Sequence, residues 1–236
     1  MEQVDRPPED PPGIVIVSGG ASGLGAAVAT AVAGTGAIPV VLDRREPADD
    51  VIFERIDLAD TRAAEEVVRK VAARHGRLVA VVTCAALDVP SDFADLDGAT
   101  WDRIVAVNLL GTAAVVRGAL PHLERSRGRV VLVASTLGLR ALPAATAYCA
   151  SKFGVVGFGR ALALELAGRV GVTLLIPGGM RTAFFDGRPE QYRPSPDQIL
   201  NDPADVAAAV LFALRQPPNC EIRELVVTPS VEPSWP

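Results

Sequence analysis

Three cysteines and two histidines are all the soft metal-ligand chemistry in this chain of 236 residues. Cys84, Cys149 and Cys220 lie far apart without paired spacing, and neither His75 nor His122 has a second ligand at metal spacing. No metal site and no disulfide framework is expected, and a reducing, cytoplasmic setting follows. Positive charge is scarce too. The net charge is −5, whereas a nucleic-acid backbone or an anionic membrane selects concentrated positive charge, so neither is expected as a partner. Charge of either sign vanishes between Gly13 and Leu42. By length alone that stretch would pass for a membrane span. It nevertheless holds seven glycines and Pro39, and it breaks into a β-branched run, a Gly/Ser turn, an Ala/Val helix and a second strand. It reads as the buried start of an α/β core. The first twelve residues, with four acids and four prolines, are the reverse of a secretory signal.

What is abundant is apolar surface, at 49% of residues, enough for one large domain with a substantial core. Short apolar runs at Ile14–Val17, Ile38–Leu42, Val51–Ile56, Leu78–Val82, Arg129–Ala134, Val172–Ile176 and Leu225–Thr228 read as strands. Helical patterns alternate with them: Thr61–Arg74, Trp101–Leu120 with Pro121 marking the last turn, Ala147–Ala167, and Pro203–Leu214 with proline at its first turn. Continuous apolar strands alternating with helices indicate a parallel sheet covered on both faces. The expected fold is a single-domain, three-layer, doubly wound (Rossmann-like) α/β domain over residues 13–228. A disordered Pro/acid-rich tail at 1–12 and a C-terminal tail at 229–236 would flank it.

Between the first strand and the first helix stands Ser18-Gly19-Gly20-Ala21-Ser22-Gly23-Leu24-Gly25. Glycines at 19, 23 and 25 permit a tight turn and close approach of a ligand. A helix N-terminus behind them offers free N–H groups to a pyrophosphate. Asp43 ends the next strand, eighteen residues beyond Gly25. A carboxylate there can accept both ribose hydroxyls of an adenosine and would repel a 2′-phosphate, so NAD is favoured over NADP. Arg44 and Arg45 follow directly and pull the other way. A solvated turn starting at Asp43 is the alternative.

Tyr148 and Lys152 are four apart on a helical stretch and share one face. A phenol beside an ammonium has its ionised form favoured, moving it towards working pH. Of the 23 basic residues only Lys70 and Lys152 are lysine, so a lysine kept at this spot suggests a need for a compact, deprotonatable donor. Ser135 ends the preceding strand, at the sheet edge where open α/β sheets present ligands.

With these motifs in place, the chain from about Gly13 to Thr228 resembles a short-chain dehydrogenase/reductase of the single-domain branch. Gly19, Gly23 and Gly25 match the glycine spacing, with Ser18 where threonine is usual, and Asn108, Ser135, Tyr148 and Lys152 match the catalytic tetrad. The resemblance implies Tyr148 as general acid/base, Ser135 on the substrate oxygen, and Lys152 on the nicotinamide ribose. Asn108 would position a relay water. It further implies cofactor contacts from Ser18, Ser22 and Leu24 at the glycine turn, Asp57 and Leu58 at the adenine edge, and Ala85 along the adenine ribose. Pro177, Gly178, Met180 and Thr182 would lie around the carboxamide. The implied reaction is hydride transfer between a nicotinamide cofactor and a secondary alcohol or ketone, in a homotetramer. Thr83-Cys84-Ala85-Ala86 replaces the usual Asn-Asn-Ala-Gly, Met180 stands for valine, and the Asp-Gly-Gly ending of many members is missing.

Other features carry less. Cys149 is read as packing beside Tyr148, and Asp92, Asp95 and Asp97 as a solvated loop. Phe184 and Phe185 either line a substrate lid or belong to the core. Arg140, Arg181 and Arg188 either steer an anionic substrate or simply aid solubility. The rival from another class is a cofactor-binding regulatory or scaffold protein with little turnover, which an intact tetrad argues against.

Overall fold

The computed structural model describes residues 13–234; the expected tail at 1–12 lies outside the described residues. Seven parallel strands form one sheet: β1 (Ile14–Ser18), β2 (Ile38–Asp43), β3 (Ile52–Arg55), β4 (Leu78–Thr83), β5 (Arg129–Val133), β6 (Gly171–Pro177) and β7 (Glu224–Val227). Their order is β3-β2-β1-β4-β5-β6-β7. The chain starts in the middle, winds out one way, then crosses to β4 and winds out the other. The order therefore reverses between β1 and β4, the point at which doubly wound sheets open a crevice.

Alternation along each strand decides which layer a side chain joins. Ile14, Ile16, Val40, Leu42, Val130, Leu132 and Leu174 enter one core with α2 (Thr61–His75), α4 (Thr112–Ser126) and α5 (Thr146–Glu165). Val15, Val17, Val82, Val131, Val133 and Leu175 enter the other with α1 (Gly23–Ala33) and α6 (Pro203–Leu214). Aspartates open several helices. Asp60, Asp97 and Asp202 each accept a first-turn N–H, of Ala63, Thr100 and Ala204. Asp97 is thus a helix cap rather than part of a merely solvated loop.

The expected helix Trp101–Leu120 differs from the structure in two ways. It begins at α3 (Gly98–Val105) and passes through a π-helical turn at Ala106–Gly111 before α4. It also continues through Pro121 to Ser126. An internal proline costs a helix about 3 kcal/mol or more, but packing beyond it prevails. Leu123 is fully buried, and Ser126 Oγ donates to the Leu78 carbonyl at 2.6 Å. Residues 98–126 are apolar and long enough to cross a membrane by composition, yet more than half of the most apolar window is buried inside the fold.

Beyond β7, the segment up to Ser234 packs on the domain. Ser234 is buried, and its hydroxyl meets that of Thr136 at 2.6 Å.

Candidate active site

The site positions expected from the sequence gather at the C-terminal edge of the sheet, because β1, β4, β5 and β6 end there at Ser18, Thr83, Val133 and Pro177. The glycine turn is built for contact. Gly19 has φ of +73°, and a Cβ on it would lie 2.5 Å from Ala85 Cα; a Cβ on Gly25 would overlap the Gly19 carbonyl. Ser22 precedes α1 without capping it, and the first turn holds no acid. The leading N–H groups of α1 therefore have neither a side-chain cap nor an acid in their own turn, which fits the diphosphate of a dinucleotide. Leu24 and Gly25 are buried in that first turn. Ser18 and Thr83 are register partners whose buried hydroxyls have no partner.

Asp43 reaches this turn. One carboxylate oxygen accepts from Ala21 N at 3.1 Å and the other from Arg45 N at 3.0 Å. Arg45 Nη2 in turn donates to Ser22 Oγ at 3.1 Å, whereas Arg44 leans towards Asp57 at 3.7 Å. Asp57 is also bound by Arg103 Nη2 at 2.7 Å. Burial alone would raise the Asp57 pKa, but the Arg103 hydrogen bond and the nearby arginines bring it below the usual value. Its carboxylate is committed to these arginines. The Leu58 side chain is in the core, which leaves its main chain as the part that faces the crevice edge.

At the end of β5, Tyr148, Ser135 and Lys152 converge. Ser135 lies beside the Tyr148 hydroxyl, close enough to favour its ionised form, and Lys152 Nζ lies 5.6 Å from the centre of the Tyr148 ring. Lys152 is buried and donates to the Val133 carbonyl at 2.9 Å. Desolvation lowers its pKa to about 8. Desolvation also pushes the Tyr148 phenol above its ordinary value, with the neighbouring Ser135 opposing. The expectation that the neighbouring ammonium favours phenolate is not met: burial outweighs it, and the amine is spent on a carbonyl. Asn108 sits within the π turn, fully buried. Both its amide hydrogens are committed, to Leu87 O at 2.9 Å and Ser151 Oγ at 3.1 Å. Its Oδ1 accepts Leu87 N at 2.8 Å, and Thr112 Oγ1 donates to its carbonyl.

The loop after β6 closes the far side. Gly178 N donates to Val227 O and Gly179 N to Glu232 Oε2, at 2.9 and 2.8 Å. Met180 pairs with Asn201. Thr182 packs over Gly23, bringing this loop to the glycine turn. Glu232 Oε1 accepts from Ser234 Oγ at 2.6 Å. The C-terminal segment therefore ties the Gly178–Gly179 loop to Thr136, the neighbour of Ser135. At the end of β4, desolvation pushes the thiol of half-buried Cys84 up to about 12.

Residues 13–193 match the family model described as short chain dehydrogenase. The chain belongs to the short-chain dehydrogenase family. It is an NAD(P)-dependent oxidoreductase by that membership, as its curated relatives' names agree. An uncharacterised oxidoreductase of Staphylococcus aureus (strain MW2) is 32% identical over 92% of this chain and 96% of its own length. Glycine betaine reductase of Emericella nidulans is also 32% identical over 93% of this chain, but the match spans only 19% of that longer protein. Among solved structures, alcohol dehydrogenase from Thermococcus sibiricus complexed with 5-hydroxy-NADP superposes with a TM-score of 0.81 at 24% identity, over 91% and 95% of the two chains. Thermoplasma acidophilum aldohexose dehydrogenase gives 0.82 at 23%, over 92% of both. Both share the fold.

Sequence reasoning missed Leu87, Asp88, Ser151, Glu232 and Ser234 as neighbours of the site. Ser151 alone had a local signal, being three residues after Tyr148, whose carbonyl its hydroxyl bonds at 2.7 Å. The rest arrive from distant segments.

Proposed function

We propose that this enzyme interconverts secondary alcohols and ketones, using NAD in preference to NADP. Tyr148 exchanges the proton. A nicotinamide held in the crevice supplies the hydride acceptor or donor, and every proton step falls to the protein. In ketone reduction, the Tyr148 hydroxyl gives its proton to the substrate oxygen; in alcohol oxidation, the phenolate takes it. Ser135 hydrogen-bonds the same oxygen and keeps it in reach of the phenol. Lys152 would hold the ribose and, as an ammonium, would stabilise the phenolate. The glycine turn and the N-terminus of α1 hold the diphosphate, and Asp43 the adenosine ribose.

One observation carries this reading: Tyr148, Ser135 and Lys152 meet at one sheet end, with the serine beside the phenol and the amine against the ring. Exposed Leu110, Phe153 and Leu164 along the π turn and α5 support association of copies, a homotetramer by family likeness. A Tyr148→Phe variant tests the mechanism. It is expected to bind NAD normally while turnover falls about 10²–10⁴-fold. A near-normal rate would remove Tyr148 from the reaction and revive the scaffold reading.

A further inference from the structure

Of the three arginines that sequence reading left open, Arg140 and Arg181 are exposed, whereas Arg188 is drawn inward. Its side chain is only 11% exposed and faces Asp88, 6% exposed, with Nη2 3.1 Å from Oδ2. The guanidinium lies over two rings, 4.7 Å from the centre of Phe184 and 4.9 Å from that of Phe185. Phe184 in turn touches Tyr148, with ring centres 5.8 Å apart. Arg188 is thus one aromatic ring removed from the phenol. Asp88 is fixed from the same side, since Asn108 clamps both main-chain groups of the preceding residue, Leu87.

The ion pair leaves its own hydrogen-bonding capacity unspent. Among the described residues, Arg188 Nε is buried without a hydrogen-bond acceptor, Nη2 meets Asp88 Oδ2 as an ion pair without hydrogen-bond alignment, and Asp88 Oδ1 is buried without a donor. Buried polar atoms of this kind are rare because each costs about 1–3 kcal/mol, more when charged. Nε and Nη2 also form one edge of the guanidinium, the two parallel donors that match a carboxylate's two oxygens. Arg188 and Asp88 line a cavity of about 480 Å³ together with Phe184, Thr100 and, further along its wall, the carboxylates of Asp95, Asp97 and Asp186.

We propose that Arg188 receives a substrate carboxylate on its Nε/Nη2 edge, so that the alcohols this enzyme oxidises are hydroxy acids and the ketones it reduces are keto acids. The proposal rests on the oxidoreductase reading above and specifies its substrate class. Asp88 makes room for the second anion. Burial pushes its carboxyl pKa up against the pull of Arg188, and an incoming carboxylate raises it further. A protonated Asp88 then donates to the substrate, and all three orphaned atoms gain partners. The two phenylalanines stack on the guanidinium and keep its plane fixed, which a flexible lysine would not allow.

The test compares lactate and 3-hydroxybutyrate with their methyl esters in the NAD-linked assay, and measures butyrate and butyramide binding to the enzyme–NADH complex by calorimetry. The acids are expected to exceed the esters in kcat/KM, and butyrate to bind more tightly than butyramide, each by roughly 10–100-fold. Arg188→Ala should collapse both ratios. Arg188→Lys, which keeps the charge and loses the fork, should retain only part of them. NADH affinity reports whether each variant is folded.

Turnover of esters and acids at equal efficiency, with ratios unmoved in Arg188→Ala, would overturn the substrate class and leave the oxidoreductase reading standing. Butyrate binding no better than butyramide would overturn it even if no substrate turned over. Faster turnover of every substrate in Arg188→Ala, without a carboxylate preference in the parent, would assign the ion pair to loop closure alone and would equally sink the proposal. The oxidoreductase reading fails by a separate result, undiminished turnover in Tyr148→Phe.

Discussion

Asn108 holds Leu87 by both of its main-chain groups, accepting the N–H at 2.8 Å and donating to the carbonyl at 2.9 Å. A side-chain amide here imitates one rung of a β-ladder, fixing the chain just beyond β4 where Thr83-Cys84-Ala85-Ala86 offers no amide side chains of its own. An Asn108→Ala substitution orphans the Leu87 groups. We expect a loss of about 1–3 kcal/mol for each one left buried, lowering Tm by roughly 2–4 °C per kcal/mol for a chain of this size. Thermal melts beside kcat measurements would check it. An unchanged Tm would mean that the clamp contributes nothing.

Cofactor choice should depend on Asp43. The parent enzyme is expected to favour NAD by at least about tenfold in kcat/KM, equivalent to about 1.4 kcal/mol. Asp43→Ala removes the repulsion of a 2′-phosphate, while Arg45, already poised on Ser22, remains. The preference should shrink or reverse in that variant. Equal use of both cofactors by the unmodified enzyme would show that Asp43 does not govern the adenosine.

Lys152 should make stability depend on alkaline pH. Its folded pKa is about 8 against an ordinary 10.5. Below pH 8 both states carry the proton, and the native state bears the full cost of burying the charge. Between pH 8 and 10.5 the native state has released the proton and the unfolded chain has not, so this group adds stability as pH rises. The span is on the order of 3 kcal/mol. Lys152→Met should be more stable than the parent at pH 7 and lack the rise, as read from urea melts of cofactor-free protein.

Shortening the chain after Pro229 removes Glu232 and Ser234 together. Gly179 N–H and the Thr136 hydroxyl lose their partners, and the loop they steady is free to move. NAD affinity is expected to fall about tenfold, the worth of one lost hydrogen bond to a charged group. Fluorescence titration with NADH would measure it, and affinity equal to the parent's would show that the segment only covers the surface.

Much of the fold is legible in the sequence because strand alternation and helix caps are local. Ile14 and Ile16 go to one layer and Val15 and Val17 to the other, as a period of two requires. The glycine turn and the Tyr148–Lys152 spacing are equally local. Arg188 and Asp88 are a hundred residues apart, and no periodicity announces that a loop will fold one over the other. The same holds for Ser234 and Thr136. Pro121 misleads for the opposite reason. Its local rule is sound, but the burial of Leu123 and the anchor at Ser126 lie outside the window in which the rule operates.

The π turn at Ala106–Gly111 has a consequence for how this chain tolerates change. A π turn is an α-helix carrying one residue too many, so deleting any one residue there would relax it to an ordinary helix. Fewer α-helical residues are needed per turn than π-helical ones, so α3 and α4 would keep nearly the same mutual orientation and the change would fall within the turn itself. Asn108 would swing off Leu87. Substitutions at many of these six positions should be survivable, whereas a single deletion should spare the helix and abolish the Asn108 clamp. Length here is as strictly specified as the identity of Asn108 itself.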